Sequence, residues 1–389
     1  MDFVIPEDLK MLQSLARQFV REELLPIEKQ VEDKDEFPEA LRLKLKKKSL
    51  DLGLWNFSMP KEYGGGGVGY LGEVLVYEEL GHVSYAIGCH GGIVGVPRSG
   101  IGGGGECQYA SKEQIQRYFL PVVRGEKEPF LGLTEPNAGS DIGNMETRAV
   151  RDGAGFILNG SKLYITGVDV SDFGYVFAVT DWEKRRKGGI SCFIVEKSNP
   201  GLQVVRRIPL MGRRGLNCYE LKLDNCVVPA DSMIGAPGKG LDIAGTYLNS
   251  GRLKAAASSL GGAVRALELV KSFAKQRVTF GEALARRQLI QHMIVQAEVD
   301  IHASRLMLYE AATGGDRGED IALKAMMVKW FVPQAAKRIV DDAIQIHGGL
   351  GYSRDLPLEM IYRDVRLSSI GGGAAQVLEW TIARNLLKD

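Results

Sequence analysis

The hydrophobic period of this chain changes twice, and that constrains its fold more than any other feature. From residue 4 to about 125, apolar residues recur at helical spacing. In DLKMLQSLARQFVREELLPIEKQVE, the residues Leu9, Leu12, Leu15, Phe19, Val20 and Leu24 share one face. FPEALRLKLKKKSLDLGLW starts a second helix behind Pro38 and ends it near Gly53. From about 128 to 235 the chain turns to short β-branched runs, GFILNGSKLYITG, YVFAVTD, GISCFIVEK and YELKLDNCVVP, cut by Gly, Asp, Asn and Pro. From about 238 onward, long Ala/Leu/Val segments at 240–275, 283–313, 319–347 and 372–387 restore the helical period. A helix buries a stripe and a strand buries alternate residues, so two switches predict three units. These are a helical unit over 1–127, an all-β unit over 128–237 and a bundle of long helices over 238–389. The fold class is α+β. The glycine runs 64–67 and 102–105 are too short for linkers and read as tight loops.

Composition narrows the function classes. Lysine plus arginine number 49 and aspartate plus glutamate 48, which argues against a nucleic-acid or polybasic membrane surface. No apolar run reaches the roughly 18–20 residues that cross a bilayer. The start MDFVIPEDLK is acidic and lacks a signal pattern. Five cysteines, an odd number without C-x-x-C spacing, fit reduced thiols and a cytoplasmic location better than a disulfide frame or a zinc site. Five scattered histidines also argue against a metal cluster.

The chemistry begins at LGLTEPNAGSDIGNMETRA, residues 131–149. Pro136-Asn137 and Ala138-Gly139 are turn dipeptides, so the stretch reads as a loop. It is either a plain surface loop or one that turns N–H groups and the hydroxyls of Thr134 and Ser140 toward an anionic or heteroaromatic ligand. The string T-E-P-x-A-G-S-D, followed some twenty residues later by LNGSKLYITG (158–167), resembles the acyl-CoA dehydrogenase family. QRVTFGEALARRQ (276–288) and AIQIHGGLGYSRDLPLEMIYRDVR (343–366) extend the resemblance over essentially the whole chain.

That resemblance implies an N-terminal helical domain, a middle β-barrel and a C-terminal four-helix bundle, assembled as a homotetramer. It implies FAD in a cleft between barrel and bundle, completed by a neighbouring subunit. It also implies an acyl-CoA substrate, electron-transfer flavoprotein or O2 as electron acceptor, and neither nucleic acid nor membrane as partner. Residue by residue, Leu133 and Thr134 resemble the pair along the flavin pyrimidine edge, with Gly139 and Ser140 near the phosphates or CoA. Tyr164 stands where the family usually has a stacking Trp, and Thr166 falls near flavin N5. Arg277, Phe280 and Gln288 resemble residues that reach a partner's FAD. Gln345, Gly348 and Gly349 resemble the pyrophosphate loop. Asn249 and Arg252, in LNSGRLKAAASSLGG, resemble the segment that meets CoA. Taken singly, each has a plain alternative: Phe280 as core, Arg277 and Arg252 as solvated charges, Gly348-Gly349 as a helix break.

The family's base is missing. The family pattern I-Y-E-G-T-[AS]-Q-I, laid over IGGGAAQV, puts Gly371 on Tyr, Gly372 on the catalytic Glu and Ala374 on Thr, while Ile370 and Gln376 match. Some members carry the base as L-x-x-E-R instead, and LNSGR places Gly251 there. Loss of a positioned base costs roughly 10²–10⁴-fold. Gly372 still supplies a backbone N–H for the thioester carbonyl. Asp242 and Glu379 are poor substitutes by spacing. His90, in a segment that lines the acyl pocket in the family, is the best titratable candidate, beside the alternative of a packed histidine. Three readings follow. The first is FAD-dependent α,β-dehydrogenation of an unusual acyl-CoA. The second is altered flavin chemistry on a CoA thioester: oxygenation, enoyl reduction, or β-elimination such as desulfination. The third is a non-catalytic acyl-CoA/FAD-binding protein.

Overall fold

The structure is a computed structural model, and it describes residues 4–95 and 105–388. Helix α1 (Glu7–Phe19) runs through one wide turn, Val20–Leu24, into α2 (Leu25–Lys34). Pro26 explains the wide turn: it lacks an N–H and its ring crowds the preceding turn. Helices α3 (Glu39–Asp51) and α4 (Gly69–Leu80) follow, and a last helical stretch over 112–123 leads to the sheet. Gly64, at the first of the glycine runs, closes a short turn after Tyr63. The second run was expected as a loop at 102–105, but 102–104 lie outside the described residues.

The middle region holds strands β1 (Pro129–Gly132), β2 (Arg148–Asp152), β3 (Gly155–Thr166), β4 (Phe173–Val179), β5 (Ile190–Glu196), β6 (Leu202–Arg207), β7 (Cys218–Pro229) and β8 (Met233–Ile234). They pair in the order β6-β7-β3-β2-β4-β5-β8, with β1 parallel to β4. Every residue of β4 is buried. Phe173, Tyr175 and Phe177 enter one core, while Val176 and Ala178 enter another that they share with Leu158, Leu221 and Val228 of β3 and β7. Period-2 alternation thus fills both faces, and the sheet folds over its own second core. Register shifts in the β3–β7 and β6–β7 ladders supply the bends. No ladder joins β6 to β8 among the described residues, so the barrel implied by the resemblance is not closed by hydrogen bonds. Strands β1, β2, β6 and β8 escape a sequence reading because they are two to six residues long or charged.

The last region contains α5 (Gly240–Gln276), α6 (Gln288–Asp316), α7 (Ala322–His347), α8 (Leu358–Ser368) and α9 (Ala375–Leu386). Two boundaries move from the sequence expectation. A hairpin, Val278–Thr279 with Glu282–Ala283, delays α6 to Gln288 because Phe280 and Gly281 both take left-handed backbone. Helix α9 starts at Ala375 because Gly372 and Gly373 have φ of +71° and +106°. The two helical regions, far apart in sequence, share a single core: Val20, Leu24, Val74 and Leu80 pack with Leu253, Leu260, Val332 and Ile361. A buried cluster also ties α3 to the sheet, where Glu128 accepts from Arg42 at 2.6 Å and Lys46 at 2.9 Å. No helix of the described residues is long and apolar enough to cross a membrane.

The contact between α4 and α5 is backbone to backbone. A Cβ built on Gly261 meets the Glu78 carbonyl oxygen at 2.0 Å and Gly81 Cα at 2.8 Å. Gly261→Ala is therefore expected to destabilise the protein by about 1–3 kcal/mol. The roughly 1 kcal/mol that Ala gains over Gly in a free helix does not offset a backbone collision. A urea melt checks this, and an unchanged or raised midpoint contradicts it.

Candidate active site

The loop entering the sheet is fastened by one buried ion pair. Glu135 accepts from Lys162 Nζ at 2.6 Å and from the backbone N–H groups of Glu146 at 2.5 Å and Thr147 at 3.1 Å. Burial alone raises a carboxyl pKa, but Lys162 and these donors reverse that, and Glu135 lies below its ordinary value. Burial lowers Lys162, opposed by Glu135. Glu135 and Ala138 also exchange backbone hydrogen bonds at 3.2 Å around Pro136-Asn137, the turn that the sequence suggests. Leu163 N–H donates to the Thr134 carbonyl at 2.9 Å. Leu133 and Thr134, both half-buried, are thus held against the strand carrying Tyr164 and Thr166.

Tyr164 sits at a register shift between Lys162 and Ile165, with φ +59°. Non-glycine residues rarely hold that backbone. Here it turns an aromatic ring out of the strand between half-buried Leu163 and buried Ile165, and Tyr164 is 57% exposed. Phe280 repeats the pattern on the hairpin, with φ +50° and 99% exposure. Arg277 and Gln288, exposed as well, flank it where the hairpin packs on α5 and α6. Phe280 is therefore not core, as its plain reading has it. Gln345, Gly348 and Gly349 are exposed at the end of α7, and a Cβ on either glycine meets nothing within 4 Å. Gly139 and Ser140 are exposed too. Two presented aromatic faces and a glycine corner open to close backbone approach fit a flavin dinucleotide. No hydrogen bond among the described residues joins the Thr134 loop to the Phe280 hairpin or to the Gly348 corner.

Gly251 is exposed on α5, and a Cβ there meets nothing within 4 Å. Asn249 and Arg252, half-buried, flank it. Gly372 is exposed in the turn before α9. Gly371 N–H donates to Leu367 and Ala375 N–H to Ser369, whereas the Gly372 N–H makes no hydrogen bond among the described residues. Ala374 caps α9, and Gln376 is exposed in its first turn. His90, half-buried, stacks on Tyr85 at 5.1 Å between centroids. Asp242 is exposed and paired with Lys239 at 2.8 Å, and Glu379 is exposed.

Sequence reasoning missed the residues packed behind these glycines. Lys329 of α7 is 2% exposed, and its Cε lies 3.8 Å from a Cβ built on Gly372. Its Nζ donates to the Ser368 carbonyl at the end of α8. Burial, then Arg252 and Arg213, lower Lys329 to about 8. Arg213 lies 3.7 Å over the Tyr85 ring. A signal for Lys329 exists in the sequence: it is a lone charge on the stripe of Ala325, Val328, Val332 and Ala336. Arg213 carries none, because it sits in an irregular loop.

Comparison with known proteins gives the family. The acyl-CoA dehydrogenase N-terminal domain family matches residues 6–126, the middle domain family 131–226 and the C-terminal domain family 238–387. The 3-(aryl)acrylate reductase of Clostridium sporogenes is 37% identical over 98% of this chain and 99% of its own. The CarC subunit of the caffeyl-CoA reductase-Etf complex of Acetobacterium woodii is 34% identical over 98% and 99%. The butyryl-CoA dehydrogenase structure from Megasphaera elsdenii superposes with a TM-score of 0.92 at 31% identity, over all of both chains. With its domains matched in order along one chain, this protein belongs to the acyl-CoA dehydrogenase family and is an FAD-dependent oxidoreductase of acyl-CoA thioesters.

Proposed function

We propose that the protein oxidises the α,β-bond of an acyl-CoA whose α-proton is more acidic than that of a simple saturated thioester. One observation carries this reading: the Gly372 N–H makes no hydrogen bond among the described residues, and neither Gly372 nor Gly251, where the resemblance implies the base, carries a side chain. That N–H donates to the thioester carbonyl oxygen and favours the enolate, as an oxyanion-hole donor does. FAD, when bound, supplies the hydride acceptor. Leu133, Thr134, Tyr164 and Thr166 orient its ring system. Arg277, Phe280, Gln288, Gln345, Gly348 and Gly349 of a neighbouring copy hold its other end, with Ala374 and Gln376 beside them. Ser140 and Asn249 meet the CoA portion, and Arg252 binds the substrate beside them. His90 is the remaining titratable side chain for the α-proton.

A second reading is the reverse reaction, and the names of two relatives favour it, since both are reductases. Protonating an enolate is downhill even from water, so a reductive cycle tolerates a missing side-chain acid better. In that direction an electron-transfer flavoprotein feeds electrons in. Anaerobic flavin absorbance separates the two. Oxidised holoenzyme that bleaches with an acyl-CoA panel supports the first reading. Reduced holoenzyme that regains colour with enoyl-CoAs, while the oxidised form does not bleach, supports the second. Silence in both directions leaves a thioester-binding protein and ends the catalytic reading.

A further inference from the structure

We propose that the acyl group carries a carboxylate, which occupies the room left by Gly251 and Gly372 against Lys329, Arg252 and Arg213. This deepens the reading above and rests on its placement of the thioester at Gly372. Two deeply buried cation sites elsewhere in this chain are matched by a carboxylate. Lys162 meets Glu135 at 2.6 Å, and Arg42 and Lys46 meet Glu128 at 2.6 and 2.9 Å. Lys329, just as deeply buried, breaks that pattern, and the half-buried Arg252 and Arg213 act on it. No Asp or Glu makes an ion pair with any of them among the described residues. Lys329 spends one of its three N–H donors on the Ser368 carbonyl, which carries no charge. The Nε atoms of Arg252 and Arg213 are buried and meet no acceptor. Asp364 stands near Arg213, but its oxygens accept the backbone N–H groups of Arg213 at 2.6 Å and Tyr85 at 2.9 Å.

Charge is seldom buried without a partner, so a counter-ion is missing from this cluster. A Glu at position 251 or 372 would have supplied it. Neither position carries a carboxylate in this sequence, while the cations are present. A Cβ on Gly251 has open space, and one on Gly372 borders Lys329 at 3.8 Å, so room for an incoming carboxylate exists beside Lys329 at Gly372. Burial and the two arginines hold Lys329 near 8, which is consistent with an unneutralised site.

The experiment uses purified holoenzyme and matched thioester pairs: succinyl-CoA with succinamoyl-CoA, and glutaryl-CoA with glutaramoyl-CoA. Each pair differs by a carboxylate against a neutral amide of the same shape. Dissociation constants come from perturbation of the flavin spectrum, with butyryl-CoA as a reference. At least one acid is expected to bind about tenfold tighter than its amide. That ratio is expected to fall to about twofold or less in Arg252→Gln and in Lys329→Met, whatever happens to absolute affinity. Acid and amide binding alike in wild type, while butyryl-CoA binds, overturns this inference alone and assigns the cations to the enolate. No response to any thioester overturns the site reading as well. Should Lys329→Met fail to fold, the wild-type ratio and Arg252→Gln decide.

Discussion

Gly251→Glu is expected to speed flavin reduction by butyryl-CoA by about 10²–10⁴-fold, the worth of a positioned general base. The helix accepts the change: a Cβ at 251 meets nothing within 4 Å, and replacing a mid-helix Gly gains up to roughly 1 kcal/mol. Gly372→Glu looks the better choice from the family pattern, but the backbone reverses the order. Gly372 holds φ +71°, and a side chain there is strained at a cost of about 1–3 kcal/mol. Its rescue is expected to be weaker and its stability lower. Stopped-flow reduction of wild type and both variants with the same thioester tests this, with exchange of the α-proton in deuterated solvent as a second readout. Rapid wild-type reduction that Gly251→Glu does not improve means a base already exists, and His90→Ala then becomes the variant to examine.

Lys162→Met is expected to destabilise the protein by about 3–5 kcal/mol, because it strands the buried Glu135 carboxylate. FAD affinity should fall with it, since Glu135 holds the Thr134 loop through the Glu146 and Thr147 N–H groups. The double variant Lys162→Met/Glu135→Leu separates charge from volume, and it should recover stability but not full FAD affinity. The acid side follows from Glu135, whose folded pKa is lowered. Its contribution is present above the unfolded value of about 4.3 and is lost as pH falls below that toward the folded value. Without Lys162 the folded value rises, so acid unfolding should begin at higher pH. Thermal melts across pH, alongside FAD titration, measure both. A variant as stable as wild type would show that water reaches Glu135.

Much of this was legible without coordinates. Helix and strand periods mark their elements because each repeats over many residues, as in Leu9 to Leu24 or along β4. The Thr134–Ser140 and Tyr164–Thr166 strings point to FAD because they lie within short segments. The glycines at 251 and 372, where the resemblance implies a base, were likewise readable one residue at a time.

Tertiary structure decided the rest. The union of the first and last helical regions in one core depends on Gly81 and Gly261 letting two backbones touch, a contact between residues 180 apart. The aim of Tyr164 depends on a register shift that no period announces. The positive charges that act on Lys329 of α7 come from Arg213 in a loop and Arg252 on α5. The sequence by itself determined the elements and the family, because those are written in neighbouring residues. What surrounds Gly372 was set only by folding, because electrostatic energy depends on distance in space and on burial, and neither is a property of position along the chain.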